Sequence, residues 1–278
     1  MKIIITGAYG FIGAHITSSL IKDKYNVICA VRDTIKAQLM FPSSEVCYCN
    51  FNTDTNKTMW INRLKGVDVV INVVGILQTS KKDNAKNIHE LATKSLFDAC
   101  IENKVKKVIH ISALGIKESD TEYAKTKLAA DSYLQDLNID WIILRPSLVY
   151  ASNSFGGTSL LRALSVLPII PLIGNGLQKF QPIHIKDLVK TISFFLEKSS
   201  QTKEIFDIVG PEILTLKDIL LRLRSWFNLK PTKLVSIPKW IIKFFCKLGD
   251  IFNVSTVNST SFNMLEIDNI SKSKKFSS

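Results

Sequence analysis

The stretch Met1-Lys-Ile-Ile-Ile-Thr-Gly-Ala-Tyr-Gly-Phe-Ile-Gly13 decides the fold of this chain. A short apolar strand runs directly into Gly7, Gly10 and Gly13, and an apolar-periodic helix pattern follows. The first glycine lets the chain turn off the strand, the second lets backbone approach a pyrophosphate, and the third lets the helix pack closely. Because a helix N-terminus also presents N–H groups to phosphates, the stretch predicts a dinucleotide-binding turn. The alternative is a plain strand-to-helix turn.

Strand and helix patterns then alternate, which is typical of a parallel sheet with helices on both faces. The predicted strands cover residues 2–5, 27–31, 46–48, 67–74, 107–112 and 140–144, the last ending where Arg145-Pro146 stops regular structure. The predicted helices cover residues 11–22, 57–64, 84–103 and 122–137. Right-handed crossovers give the strand order 3-2-1-4-5-6. The fold class is therefore α/β, a Rossmann-type doubly wound parallel sheet.

The pattern loosens after Tyr150, where glycines and prolines separate short elements. We therefore expect a dinucleotide-binding domain over residues 1–150 and a smaller C-terminal lobe over residues 151–278. The chain is expected to return to the sheet near residues 182–189.

Composition narrows the class of protein. The chain has 278 residues, five cysteines and a net charge of +12. The cysteines form no Cys-x-x-Cys pair and lie in apolar patterns, so buried free thiols are expected and no metal site is. The first strand leaves no room for a signal peptide, and the apolar stretch 164–177 is too short to span a bilayer. These features predict a cytoplasmic protein.

One helix and the strand before it carry the candidate chemistry. Tyr123 and Lys127 are four residues apart, so they lie on one helical face. Ser112 ends the fifth strand, at the edge where doubly wound sheets bind ligands. The alternative is an ordinary amphipathic helix with an exposed lysine.

These motifs resemble the extended and atypical short-chain dehydrogenase/reductase family, to which the epimerases and dehydratases belong. The Gly-x-x-Gly-x-x-Gly spacing and the Ser, Tyr-x-x-x-Lys set carry the resemblance. The resemblance implies that the Tyr123 phenol exchanges a proton with a substrate oxygen, that the Lys127 ammonium lowers the pKa of that phenol, and that the Ser112 hydroxyl orients the substrate. Further segments resemble one subgroup, the NADPH-binding accessory subunit of respiratory complex I and its bacterial homologues. They are Asn72–Leu77, Val108–Gly115, Leu144–Ser147, Pro171–Gly174, Gln181–Asp187 and Met264–Asn269. The resemblance implies a bound NADPH that is held structurally.

The chain also departs from the active nucleotide-sugar enzymes of that family. Those enzymes usually carry a Ser/Thr-rich stretch ending in Tyr-Gly, whereas this chain reads Ile111-Ser-Ala-Leu-Gly115. They also show Asn-x-x-Gly-Thr where this chain reads His89-Glu-Leu-Ala-Thr93. We interpret His89 as a polar helix residue, since a lone histidine is seldom a ligand.

The end of the second strand indicates the type of dinucleotide. Arg32 suits a 2′-phosphate and favours NADP(H), whereas the adjacent Asp33 would suit the free 2′-hydroxyl of NAD(H). Asn50 follows the third strand, near the expected adenine, and Gly75 lets the cofactor pass close to backbone. The full set of expected cofactor contacts is Thr6, Gly7, Tyr9, Gly10, Phe11, Ile12, Gly13, Arg32, Asp33, Asn50, Val74, Gly75, Tyr123, Lys127 and Pro146.

The C-terminal region is strongly basic. A helix predicted over residues 238–252 gathers Lys239, Lys243 and Lys247 in one narrow arc, and apolar side chains fill the rest. That pattern suits a helix at a membrane surface, a helix that docks on a partner such as a respiratory complex, or a helix packed on its own lobe. No nucleic-acid recognition motif is present. Two functions remain. The first is an accessory protein that holds NADPH and lies peripherally at the inner face of a membrane. The second is an active NAD(P)-dependent oxidoreductase or epimerase.

Overall fold

A computed structural model describes residues 1–152, 157–197, 203–251 and 258–272 of the chain. The first part runs β1 (Lys2–Thr6), α1 (Phe11–Lys22), β2 (Asn26–Val31), α2 (Thr34–Met40), β3 (Glu45–Tyr48), α3 (Thr58–Ile61), β4 (Val69–Asn72), α4 (Ala92–Glu102), β5 (Lys107–Ile111), α5 (Glu122–Gln135) and β6 (Asp140–Pro146). A wider helical turn, Lys86–Leu91, leads directly into α4.

The second part contains shorter strands. It runs β7 (Val149–Tyr150), α6 (Gly157–Ser165), β8 (Ile169–Ile173), β9 (Lys179–Phe180), β10 (Ile183–His184), α7 (Ile185–Glu197), β11 (Glu204–Ile208), β12 (Leu214–Thr215), α8 (Leu216–Trp226), β13 (Lys233–Ile237), α9 (Lys239–Ile251) and α10 (Ser259–Glu266).

Seven strands form the main sheet, in the order β11-β6-β5-β4-β1-β2-β3. The pairings among β1 to β6 are parallel, and Ile4 in the centre lies beside Ile28 on β2 and Val70 on β4. Side chains along β1, β4 and β5 are almost all buried, because helices cover both faces of a sheet of this kind. The predicted fold class and strand order are confirmed.

Three details differ from the sequence prediction. The short helix α2 and the seventh strand β11 were not predicted. Strand β6 also extends through Pro146, beyond its predicted end at residue 144. Proline donates no hydrogen bond, but its carbonyl accepts one from Leu114 N at 3.0 Å, so this strand end tolerates it.

The chain divides into two compact units. Unit 1 comprises residues 1–146 and 185–207, and unit 2 comprises residues 147–184 and 208–278. Unit 1 contains most of the seven-stranded sheet, and α7 packs on α1 within it.

Unit 2 is built from three two-stranded sheets and four helices in its described part. α6 packs against α8, and α9 packs against α10. A core containing Leu161, Ile170, Leu220 and Phe262 holds these elements together. The predicted helix over residues 238–252 corresponds to α9, and Phe252 lies outside the described residues. None of the described helices combines the length and apolarity needed to cross a membrane.

All five cysteines are free, and four are buried while Cys47 is half-buried. Burial raises the pKa of the Cys47 thiol to about 11. Because the thiolate is the reactive form, such a thiol is chemically quiet at neutral pH. The expectation of buried free thiols is confirmed.

Candidate functional site

The glycine run forms a tight turn at the carboxyl end of β1. Gly7 has a φ of +66°, a left-handed conformation that favours glycine, and its N–H donates to Ala30 O at 3.0 Å. Gly10 N donates to Gly7 O at 2.9 Å, which closes the turn. At Gly13 a Cβ atom would collide with the Gly7 carbonyl, so only glycine lets α1 lie this close.

The N-terminus of α1 follows directly. Its first residue is Phe11, and the preceding Gly10 offers no side chain to cap the helix. Helix N-terminal N–H groups and the positive end of the helix dipole attract anions. The turn therefore has the shape and polarity of a pyrophosphate cradle.

Several charged side chains and Tyr9 make pairwise contacts near the end of β2. The Arg32 guanidinium pairs with Asp83 at 2.5 Å. The Asp33 carboxylate caps α2 by accepting from Lys36 N at 2.9 Å, and Asp33 N donates to the Tyr9 hydroxyl at 3.3 Å. The Lys36 ammonium lies 5.1 Å from the centre of the Tyr9 ring. One cation, Lys36, therefore lies over Tyr9, Arg32 pairs with Asp83, and the carboxylate of Asp33 caps the helix start.

Asn50 shapes the turn that follows β3. Its backbone N–H donates to Asp54 at 2.7 Å, and its side-chain oxygen accepts from Asn52 N at 3.1 Å. Asn52 in turn donates to Asp83 at 2.8 Å, the same carboxylate that binds Arg32. Asn50 is thus linked to the end of β2 through Asn52, a residue that the sequence did not single out.

Lys127 lies against the ends of β4 and β5. Its ammonium donates to Ile111 O at 2.9 Å and to Val74 O at 3.3 Å. A Cβ at Gly75 would lie 3.4 Å from the same ammonium. Burial lowers the pKa of Lys127 to about 8, because a charged group is costly away from water. The structure therefore brings Val74, Gly75 and Lys127 together at one edge of the sheet.

Tyr123 lies one turn before Lys127 and contacts His89 edge to face, with ring centres 5.4 Å apart. Burial, with a further effect of Asp131, raises the pKa of Tyr123 to about 12. The sequence analysis expected Lys127 to lower the pKa of this phenol, and that direction is wrong here. Burial disfavours the charged phenolate, and the negative charge of Asp131 acts in the same direction.

His89 is almost fully buried, which the interpretation as a polar helix residue did not anticipate. Its Nε2 accepts from Ile76 N at 2.9 Å, so the ring proton lies on Nδ1, which faces the Thr126 hydroxyl at 3.0 Å. Burial and the charge of Lys127 lower the pKa of His89 to about 2. A neutral imidazole therefore ties the segment after β4 to helix α5.

Ser112 is buried at the end of β5 and donates to Asp131 at 2.9 Å. The same carboxylate oxygen accepts from Nε and Nη2 of Arg145, at 3.0 and 2.8 Å. Burial raises the pKa of Asp131, and the hydrogen bonds from Arg145 act in the opposite direction. The hydroxyl proton of Ser112 is therefore directed at the protein's own carboxylate.

This ion pair belongs to a longer buried chain of polar groups. Thr6 Oγ1 donates to Asn72 Oδ1 at 2.6 Å, and Asn72 Nδ2 donates to His110 Nδ1 at 3.1 Å. The remaining proton of His110 then lies on Nε2, which faces Asp131 Oδ1 at 3.5 Å. Burial keeps the pKa of His110 well below its usual value, so the ring is neutral. These polar contacts connect the strand before the glycine turn with Ser112.

The sequence analysis missed Asp131 and Arg145 as site residues, although both left a signal. Asp131 continues the four-residue spacing of Tyr123 and Lys127 along α5. Arg145 follows an apolar run, residues 141–144, within its strand. Pro146, predicted to contact the cofactor, ends that strand beside Leu114.

Comparison with known proteins finds relatives of low sequence identity. The mitochondrial NADH-ubiquinone oxidoreductase 40 kDa subunit of Neurospora crassa is 24% identical over 243 residues, which are 86% of this chain and 63% of that protein. The chain thus spans less than two thirds of that relative. An uncharacterized UDP-glucose epimerase of Bacillus subtilis is 27% identical over 249 residues, 76% of this chain and 78% of that protein.

A solved structure shows the same fold. The UDP-glucuronic acid 4-epimerase of Bacillus cereus, in complex with NAD, superposes with a TM-score of 0.71 at 22% identity, covering 96% of this chain and 97% of that one. Residues 3–209 of this chain match the NAD dependent epimerase/dehydratase family. That match covers the glycine turn, Tyr123 and Lys127, and the chain is therefore a member of the NAD dependent epimerase/dehydratase family.

Proposed function

We propose that this chain holds NADP(H) as a resident cofactor in an accessory role, like the subunit family it resembles, and does not turn over a substrate. One observation carries the proposal. The polar groups that would catalyse are already hydrogen-bonded within the protein: Ser112 to Asp131, and Lys127 to two backbone carbonyls. A dinucleotide itself is what membership of the family leads one to expect.

The residues of unit 1 fit a dinucleotide. Gly13 lacks the Cβ that would collide with the Gly7 carbonyl, and so α1 can lie close to the turn. The uncapped N-terminus of α1 suits the pyrophosphate. Thr6 and Pro146 end β1 and β6, and Val74 follows β4. Tyr9 lies in the turn after β1, and Ile12 lies in the first turn of α1. A bound nicotinamide would supply hydride-transfer chemistry.

Two cationic side chains, Arg32 after β2 and Lys36 in α2, support NADP(H) over NAD(H). Arg32 is about half exposed, and Lys36 projects from the first turn of α2 across the Tyr9 ring. Guanidinium and ammonium groups both bind phosphate. Asp33, the residue that argued for NAD(H), uses a carboxylate oxygen to cap α2.

Calorimetric titration tests the cofactor preference. We expect NADPH to bind at least tenfold more tightly than NADH. R32Q and K36Q should weaken NADPH binding several-fold and leave NADH binding unchanged. K22Q, at the far end of α1, is the matched control. Equal or tighter binding of NADH would contradict the preference.

The accessory role is tested on the purified protein. We expect NADPH to co-purify, to exchange slowly, and to resist oxidation by a panel of carbonyl compounds. Y123F should leave cofactor binding intact. Rapid oxidation by one of the carbonyl compounds would overturn the accessory role, while leaving the cofactor assignment in place.

An active oxidoreductase or epimerase is the second candidate, favoured by the position of Tyr123 beside Lys127 and His89. The similarity of this chain to the epimerases named above supports the same function. The phenol would exchange its proton with a substrate oxygen, and Lys127, with its pKa lowered to about 8, would assist. In that case turnover disappears in Y123F.

We also propose that the exposed face of α9 binds the surface of an anionic bilayer. Trp240, Phe244 and Phe245 are 72%, 59% and 58% exposed. Lys239 and Lys243 pair with Glu266 of α10 at 2.8 and 3.7 Å. An exposed aromatic face bordered by lysines is typical of helices that lie in the membrane interface.

Sedimentation with vesicles of phosphatidylglycerol and phosphatidylcholine tests this docking. We expect binding that is lost in the W240S/F244S double variant and weakened in K247E. Leu39 and Ile35 of α2 are similarly exposed in unit 1, so I35S/L39S is the matched control. If W240S/F244S binds vesicles normally, the aromatic face of α9 is not the bilayer contact and this docking proposal is wrong.

A further inference from the structure

Unit 2 contains a cleft that none of the proposed functions uses. It has a volume of about 470 Å³, within the range of small-molecule sites. Its walls come from α6, α8, the end of β7 and the segment after β11. Apolar side chains such as Leu148, Leu161, Leu214, Ile219 and Leu223 form most of the lining.

One cation in this cleft has no acidic partner among the described residues. The Arg162 guanidinium donates to Ser152 O at 2.8 Å and to Ala151 O. No carboxylate in the described part of the chain lies within 4 Å of it, whereas Arg222 in the same cleft pairs with Glu212 at 2.7 Å. Carbonyl groups hold Arg162 in place but do not neutralise its charge.

Two exposed aromatic side chains also line the cleft. Trp226 lies over the Arg162 guanidinium at 4.8 Å and remains 55% exposed. Tyr150 is 45% exposed and contacts the His184 ring at 5.1 Å. Large apolar groups left in water beside a fixed cation are typical of a binding site.

We propose that this cleft binds an amphiphilic monoanion, with its carboxylate or phosphate on Arg162 and an apolar chain along the leucine-rich wall. The remaining guanidinium N–H groups supply charge-assisted hydrogen bonds to the head group. The apolar lining and the face of Trp226 bind the chain by removing it from water. The site lies wholly in unit 2 and does not depend on the cofactor proposed for unit 1.

Decanoate is the test ligand, with decanol and decyltrimethylammonium as neutral and cationic probes of the same chain length. All three are titrated below their micellar concentrations, and tryptophan fluorescence reports binding. W226F identifies the part of the signal that arises in the cleft. We expect decanoate to bind at least tenfold more tightly than either probe.

Two arginine variants separate the proposed contact from a general effect of charge. R162Q should abolish the preference for decanoate over decanol, and R162K should restore part of it. R222Q removes a cation that Glu212 already neutralises, so the preference should persist. NADPH titration of each variant verifies that unit 1 is intact and keeps failure of this proposal distinct from failure of the cofactor proposal.

Three results would overturn the proposal. Decanoate binding no more tightly than decanol would remove the role of the anion. Equal losses in R162Q and R222Q would show a general charge effect. Tighter, Arg162-dependent binding of uridine diphosphate would assign the cleft to a nucleotide.

Discussion

The two units of this chain differ in where they place some of their charged and apolar side chains. In unit 1, Asp131 and Arg145 are buried and bound to each other beneath the candidate site. In unit 2, Arg162 has no acidic partner among the described residues, and Trp226 and Trp240 are exposed. Buried, satisfied polar groups fix a geometry, whereas exposed apolar groups and unpaired cations favour contact with other molecules.

The sequence charges follow the same division. Unit 1 carries 23 Lys and Arg against 19 Asp and Glu, and unit 2 carries 13 against 5. Most of the net charge of +12 therefore belongs to the smaller unit. A charge excess of this kind attracts anionic partners and contributes little to the fold. Unit 1 therefore carries the buried polar groups of the candidate site, and unit 2 carries most of the excess positive charge.

The largest expected effect follows from breaking the buried pair in unit 1. D131N leaves the Arg145 guanidinium buried beside a neutral amide. Losing one partner of a buried pair typically costs about 3–5 kcal/mol of unfolding free energy. Urea denaturation measures the loss. D120N, at a fully exposed aspartate just before α5, should change stability by less than about 1 kcal/mol.

A loss in D131N no larger than in D120N would contradict the view that unit 1 is held by its interior polar network. Ser112 also loses its carboxylate acceptor in D131N. If that variant gained carbonyl-reductase activity, the accessory role proposed above would also be overturned.

The next effect concerns the glycine turn. G13A places a methyl group against the Gly7 carbonyl, so α1 must move away from the turn. Forcing extra atoms into a packed site typically costs about 1–3 kcal/mol, and NADPH affinity should fall at least tenfold. K22Q, at the far end of the same helix, is the control and should bind NADPH normally. Equal affinities for the two variants would contradict the proposed cradle.

Local sequence was enough to predict the fold of unit 1. The glycine run, the alternating patterns and the handedness of crossovers gave six strands in their correct order, because these signals lie within single strand-helix units. Strand β11 was missed because it joins the sheet from near residue 204, and its neighbour β6 is far away in sequence. Sequence patterns seldom reveal pairings of that range.

The candidate site was only partly predictable. Spacing pairs Tyr123 with Lys127, since both lie on one helix. The contacts of His89 with Ile76 and Thr126 join three separate segments, and no local pattern links them. The pKa of Tyr123 was predicted in the wrong direction because desolvation depends on packing, and packing cannot be derived from spacing.

A smaller effect is expected from pH. His89 has its pKa lowered to about 2 in the folded protein, against about 6.5 when unfolded. Below pH 6.5 the unfolded state therefore binds more protons, so stability falls as pH decreases. From pH 6.5 to 5 one such histidine removes about 1.5 kcal/mol. Urea denaturation at both pH values measures the loss, and H89Q should lose less unfolding free energy than wild type over that interval. If H89Q and wild type show the same pH dependence, the buried neutral imidazole is contradicted.

The smallest effect is expected at the exposed face of α9. F244S removes a ring that is 59% exposed, so the unfolding free energy should change by no more than about 0.5 kcal/mol. F262A, on the adjacent α10, removes a ring that is 3% exposed and should cost about 3 kcal/mol or more. Denaturation measures both. If F244S were as destabilising as F262A, the aromatic face of α9 would be part of the core of unit 2. The contrast between the buried polar groups of unit 1 and the exposed aromatic groups of unit 2 would then not hold for α9.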